Sequence, residues 1–220
     1  MDMDGVATLE EPAAPADAKR RTGGHPVGTG ALEWFLAEQR RNVAERFIPL
    51  THRQGRILDI GCGAYPLFLL RTQFREKYGM DRALSTRHVE EYHNDGIALF
   101  HQDVERLERL PFDDEHFDVV TMLAIFEHVD PPKLQTLLRE ILRILRPGGV
   151  YIMTTPASWT DFLLKAMAAV KLVSAHGVAE HKAGYTHAKI RDLLRQAGFS
   201  EPVRCGYFEL GVNLWAAAVK

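Results

Sequence analysis

From residue 56 onward the chain alternates short apolar runs with longer stretches of helical periodicity, and few folds accommodate that alternation. The short runs are residues 56–60, 77–80, 98–102, 117–123 and 150–154. Most are continuously apolar, as strands are when helices cover both of their faces. Between residues 132 and 145, Leu134, Leu137, Leu138, Ile141, Leu142 and Leu145 form one helical stripe, which Pro147-Gly148-Gly149 stops. A second helix is expected over residues 188–197, with Ile190, Leu193 and Leu194 inward and Gly198 at its end. Residues 203–208 and 214–219 read as a terminal hairpin. Strands and helices in this order imply an α/β fold, a doubly wound sheet with helices on both faces.

Upstream of this region the pattern changes twice. Residues 1–28 are rich in Ala, Pro, Asp and Gly, lack apolar periodicity, and read as a flexible tail. After Gly30, Leu32, Phe35, Leu36, Val43, Phe47 and Ile48 recur at helical spacing, and Pro49 fits the end of that element. Residues 29–220 are therefore read as one domain, a length that supports a sizeable core. The chain carries 27 basic and 29 acidic residues. That balance offers no bulk attraction for nucleic acid, so no nucleic-acid partner is expected. Two cysteines give no disulfide framework. The sequence shows no signal peptide and no apolar run long enough to span a bilayer, so a cytoplasmic location is expected.

The first strand runs into Asp59-Ile60-Gly61-Cys62-Gly63. Glycines at this point allow a tight turn and close approach of the backbone to a ligand. A helix starting after them would aim amides at an anion. Alone, this pair also fits a plain strand–helix turn. Asp81 follows Gly63 by 18 positions and ends the second strand, where a carboxylate can accept from ribose hydroxyls. Asp103, before Val104, ends the third, where a carboxylate can accept from an adenine amino group or cap a helix. All three positions fall at the carboxyl ends of strands, where open α/β sheets bind ligands.

Leu58-Asp59-Ile60-Gly61-Cys62-Gly63 resembles the first motif of class I S-adenosylmethionine-dependent methyltransferases. Gly79-Met80-Asp81 resembles their second-strand acid. The run Leu110-Pro111-Phe112-Asp113-Asp114, then Phe117-Asp118-Val119-Val120, resembles the approach to their fourth strand. Glu127-His128-Val129 and Leu145-Arg146-Pro147-Gly148-Gly149 resemble the two segments that follow. The resemblance is strongest over residues 55–156, is of the small-molecule kind, and implies a Rossmann-like seven-stranded sheet with an antiparallel last strand. It implies S-adenosylmethionine as cofactor, with Gly61, Cys62 and Gly63 near its methionine part and Asp81 and Asp103–Val104 at ribose and adenine. Asp59 would order the loop or meet the ammonium, and Leu123 and Ala124 would flank the cofactor. Tyr65 departs from the family, standing where a third glycine is common.

The acceptor side is read from the same resemblance. His128, after the fourth strand, is the candidate general base, since histidine titrates near neutral pH; structuring of the loop is its competing role. Glu127 is expected to make a structural bond. His181, Tyr185 and His187 are candidate acceptor-binding residues, and no metal is expected because no carboxylate set accompanies the histidines. Residues 157–187 are read as an acceptor-side insertion. Its strongly apolar part, residues 161–175, suits either a small apolar or aromatic acceptor or a homodimer contact. Asp130-Pro131-Pro132 looks like the motif of amino-methylating enzymes but comes too late after the strand, and reads as a helix start. Three further readings stay open: a non-catalytic partner of the same fold, a nonmethylating S-adenosylmethionine enzyme, and a nicotinamide oxidoreductase.

Overall fold

The computed structural model describes residues 31–160 and 184–220. Seven strands form a single sheet: β1 (Arg56–Ile60), β2 (Glu76–Asp81), β3 (Ile97–His101), β4 (Phe117–Leu123), β5 (Leu145–Pro156), β6 (Ser200–Phe208) and β7 (Asn213–Val219). Their order is β3-β2-β1-β4-β5-β7-β6. The five strands from β3 to β5 run parallel, and β7 enters antiparallel between β5 and β6. The sheet order reverses direction at β1–β4, which opens a crevice at the carboxyl ends of those strands.

Among the described residues five helices cover the sheet: α1 (Ala31–Glu45), α2 (Leu67–Arg71), α3 (Thr86–His93), α4 (Pro131–Ile144) and α5 (His187–Ala197). Alternation along each strand divides the core in two. On one face Leu58, Ile60, Val120, Met122, Tyr151 and Met153 pack with α4 and α5. On the other, Ile57, Val119, Val150 and Ile152 pack with Ala44, Phe68, Leu69 and Tyr92 from the first three helices. The stripe on α4 is buried as its spacing predicts, through Leu134, Leu137, Leu138 and Ile141. Asp130 precedes that helix with Pro at its first positions, so Asp130-Pro131-Pro132 is a helix start. α5 begins at His187 after Thr186, whose hydroxyl accepts from the Lys189 amide, and stops at Gly198 with φ of 105°.

Two differences from the sequence reading bear on the site. β5 starts at Leu145, five residues early, because Pro147-Gly148-Gly149 does not interrupt it. The register jumps from Phe117–Leu145 to Val119–Val150, so the extra residues bulge out while pairing resumes beyond them. α2 is a single short turn, so the loop after β1 is not followed by a long helix aiming its amides at the crevice. The tail at residues 1–28 and the apolar run at 161–175 lie outside the described residues. The ends of the segment between β5 and α5 are described: Ala157 and Tyr185 form a parallel bridge, and the Ser158 amide donates to the Tyr185 carbonyl at 3.2 Å. Among the described residues no helix is long and apolar enough to cross a membrane.

Candidate cofactor site

The chain turns sharply as it leaves β1. The amides of Gly61 and Cys62 both donate to the Met80 carbonyl, at 2.7 and 3.4 Å, hooking the loop onto the end of β2. Gly61 (φ 81°) and Gly63 (φ 71°) adopt the left-handed conformation that this turn requires. They differ in surroundings. A Cβ on Gly61 would lie 2.0 Å from Ile125 Cγ1, whereas one on Gly63 would meet no atom closer than 4.0 Å. The open side of Gly63 faces a cleft of about 270 Å³, near the lower end of ligand-binding sizes (~300 Å³ upward).

That cleft is lined by Gly61, Gly63, Asp81, Asp103, Val104 and His128, all singled out in the sequence. Asp81 is tied down by two amides: Gly63 donates to Oδ2 at 2.8 Å and Ala83 to Oδ1 at 2.7 Å. Asp103 accepts from the Glu105 amide at 3.1 Å and faces the Arg106 guanidinium at 3.4 Å. Glu105 in turn accepts from the Asp130 amide at 2.8 Å, so the loop after β3 is fastened to the start of α4. The lining that sequence reasoning missed is Met80, Arg82, Ala83, Gln102, Glu105, Ile125 and Val129. Most of these are direct neighbours of the recognised strand-end residues, and that adjacency is the signal that could have found them.

Four of the expected cofactor residues stand elsewhere. The Cys62 side chain is buried against Gly79, with its thiol donating to the Gly63 carbonyl at 3.6 Å, and burial pushes that thiol well up. Leu123 packs into the core on the α1–α3 side. Ala124 sits at φ of 58°, a conformation held by its amide donating to the carbonyl and hydroxyl of Thr154, and it shapes the turn rather than the cleft. Asp59 faces away, beneath the loop. It lies opposite Thr121 in the sheet register and accepts from its hydroxyl at 2.6 Å while only 4% exposed. Tyr65 also packs away from the cleft, edge-on to Tyr92 at 6.5 Å. On the acceptor side, His181 lies outside the described residues. Tyr185 is core-packed against Phe126 and His187 lies tilted against Tyr207, with ring centroids 4.8 and 4.3 Å apart respectively.

Burial pushes the Asp59 carboxyl up to about 7; the Thr121 bond opposes the rise and the Asp81 charge adds to it. An unfolded chain ionises Asp near pH ~4. Below that pH both states are neutral. Between ~4 and 7 only the unfolded state ionises, so this group's contribution to stability is lost as pH rises and stays lost above 7. Asp59→Asn keeps an oxygen for Thr121 and cannot ionise. Its stability relative to the native chain should be similar near pH 4.5 and should gain ~3 kcal/mol by pH 8, at about 1.4 kcal/mol per pKa unit. Urea unfolding at both values checks this, and a difference independent of pH would count against it.

These residues fit a nucleoside cofactor. Two carboxylates at adjacent strand ends can accept from ribose hydroxyls and an amino group, and the open side of Gly63 lets the ligand approach the backbone. A pyrophosphate fits poorly, because the Gly63 amide it would need is already bonded to Asp81.

Comparison with known proteins agrees with this geometry. Residues 58–153 match the methyltransferase domain family. The ubiquinone biosynthesis O-methyltransferase of Aeromonas salmonicida is 31% identical over 150 residues, 65% of this chain and 62% of that protein. The Ruegeria pomeroyi protein of the same name is 31% identical over 162 residues, 69% of this chain and 62% of that protein. This chain thus spans just over three-fifths of their length. A methyltransferase from Mesorhizobium loti shares the fold, with a TM-score of 0.62 at 18% identity, over 84% of this chain and all of that one. Another, from Thermotoga maritima, has a TM-score of 0.61 at 24% identity, over 86% and 93% of the two chains. Motif order, sheet order and these matches converge on the class I S-adenosylmethionine-dependent methyltransferases, whose methyltransferase domain residues 58–153 match.

Proposed function

We propose that this protein transfers a methyl group from S-adenosylmethionine to a small apolar or aromatic metabolite. The observation that carries this reading is the pair Asp81 and Asp103 facing one cleft beside the open side of Gly63. In this reading Asp81 receives the ribose hydroxyls and Asp103 the adenine amino group, with Val104 against the base. Gly61 and Gly63 leave room for the methionine part. The cofactor supplies an activated methyl on a sulfonium, and the protein's task is to align the acceptor and exclude water. His128 lines the cleft after β4, and in this reading it is the proton acceptor for a hydroxyl or acidic carbon. The names of the relatives favour oxygen as the methylated atom.

Isothermal titration with S-adenosylhomocysteine tests the cofactor assignment. Micromolar binding, together with weak or absent binding of NAD, is the expected result. NAD binding without S-adenosylhomocysteine binding would return the chain to the oxidoreductases.

A further inference from the structure

We propose that Glu127 and Tyr185 form an anchor for a hydroxyl group of the acceptor, on the α4–α5 face of the sheet. The proposal rests on the methyltransferase reading for the purpose of the anchored molecule, but the anchor itself is argued from unsatisfied chemistry. Glu127, in the turn after β4, is 3% exposed, and its Oε2 has no hydrogen-bond partner. Tyr185 is 1% exposed, and its hydroxyl is unpartnered as well. Burial first, and then the Glu127 charge, raise the Tyr185 hydroxyl above its ordinary range.

A third unsatisfied atom lies on the same face. Thr155 Oγ1 is buried without a partner, two residues before Ala157, which bridges to Tyr185. Alternation on β5 puts Thr155 with Tyr151 and Met153, on the core face that also holds Phe126 and Tyr185. Buried polar groups are nearly always hydrogen-bonded, so several unbonded ones on one core face point to a missing molecule.

The chemistry of the set narrows that molecule. A carboxyl oxygen and a tyrosine hydroxyl are both satisfied by one group that can donate and accept. A hydroxyl does this; an ammonium only donates, and an ether or ketone only accepts. The place also fits. Glu127 adjoins His128, which lines the cofactor cleft, at the carboxyl end of β4. The acceptor class is therefore a hydroxylated, otherwise apolar molecule, and Glu127 and Tyr185 determine that preference.

The test is fluorine NMR on the full chain saturated with S-adenosylhomocysteine, with 4-fluorophenol and 4-fluoroanisole as probes. The phenol should bind at least fivefold more tightly than its methyl ether. Glu127→Gln and Tyr185→Phe should each shrink that preference below twofold, while melting of the ligand-free Tyr185→Phe protein stays level or rises. Thr155→Val provides a milder variant, with a partial loss of preference, should either of the others fold poorly. No phenol binding, equal binding of the two probes, or a preference unchanged in the variants overturns the proposal. A preference unchanged alongside lowered melting in Tyr185→Phe identifies a structural water site instead. Saturation with S-adenosylhomocysteine is checked first by calorimetry. Failure there sinks the cofactor assignment, whereas failure of the probe comparison alone sinks only the anchor.

Discussion

Gly61→Ala should lower stability by ~2–4 kcal/mol and weaken S-adenosylhomocysteine binding by on the order of a hundredfold. Two penalties combine. An alanine at φ of 81° costs ~1 kcal/mol in the left-handed region. Its Cβ would also fall 2.0 Å from Ile125 Cγ1 and 2.5 Å from Cδ1, an overpacking worth ~1–3 kcal/mol. Ile125 lines the cofactor cleft, so relief of the clash pushes that side chain toward the ligand. The two penalties separate in a double-mutant cycle. Adding Ile125→Ala to Gly61→Ala removes the clashing atoms but not the backbone strain. A coupling of ~1–3 kcal/mol is expected in urea unfolding. Strict additivity would show that the loop, not Ile125, absorbs the new methyl.

Asp81→Ala should reduce cofactor affinity by a similar factor, for a different reason. The carboxylate fixes two amides as well as facing the cleft. Its removal leaves the Gly63 and Ala83 amides without partners and deletes the proposed acceptor for the ribose hydroxyls. Hydrogen bonds to a charged group contribute ~1.5–3 kcal/mol each, so loss of the ligand bond together with loosening of the loop reaches about a hundredfold. Unfolding should show a smaller decline, ~1–3 kcal/mol, because the amides can turn to water once the loop relaxes. Calorimetry on the variant checks the first number and urea titration the second. Unchanged affinity would place the ribose away from Asp81.

The sheet was legible because its strands are short apolar runs with little competing periodicity. β1 and β4 end where the sequence predicts. β5 was read short because Pro147-Gly148-Gly149 signals a stop in any local reading, while in the sheet it is absorbed as a bulge against β4. The cleft was legible where a strand end coincides with an acid or glycine, as at Gly61, Gly63, Asp81 and Asp103. Side-chain direction was not. Asp59 and Cys62 belong to the same motif as the glycines, yet the pleat turns Asp59 toward Thr121 and the loop turns Cys62 toward Gly79. The unpartnered Oε2 of Glu127 has no signature in sequence at all, since it depends on how the chain packs around a buried side chain.

The bridge between Ala157 and Tyr185 has a consequence for how this family can diversify. Ala157 and Tyr185 are held side by side, and joining two fixed points through a chain of any length is loop closure. The entropic cost of such a loop grows only logarithmically, ~0.6 kcal/mol for each doubling of its length. Lengthening or replacing that stretch therefore leaves β5, α5 and the cofactor cleft nearly undisturbed in energy. Evolution could change the length and composition of that stretch, as a cassette spliced into an otherwise constant frame.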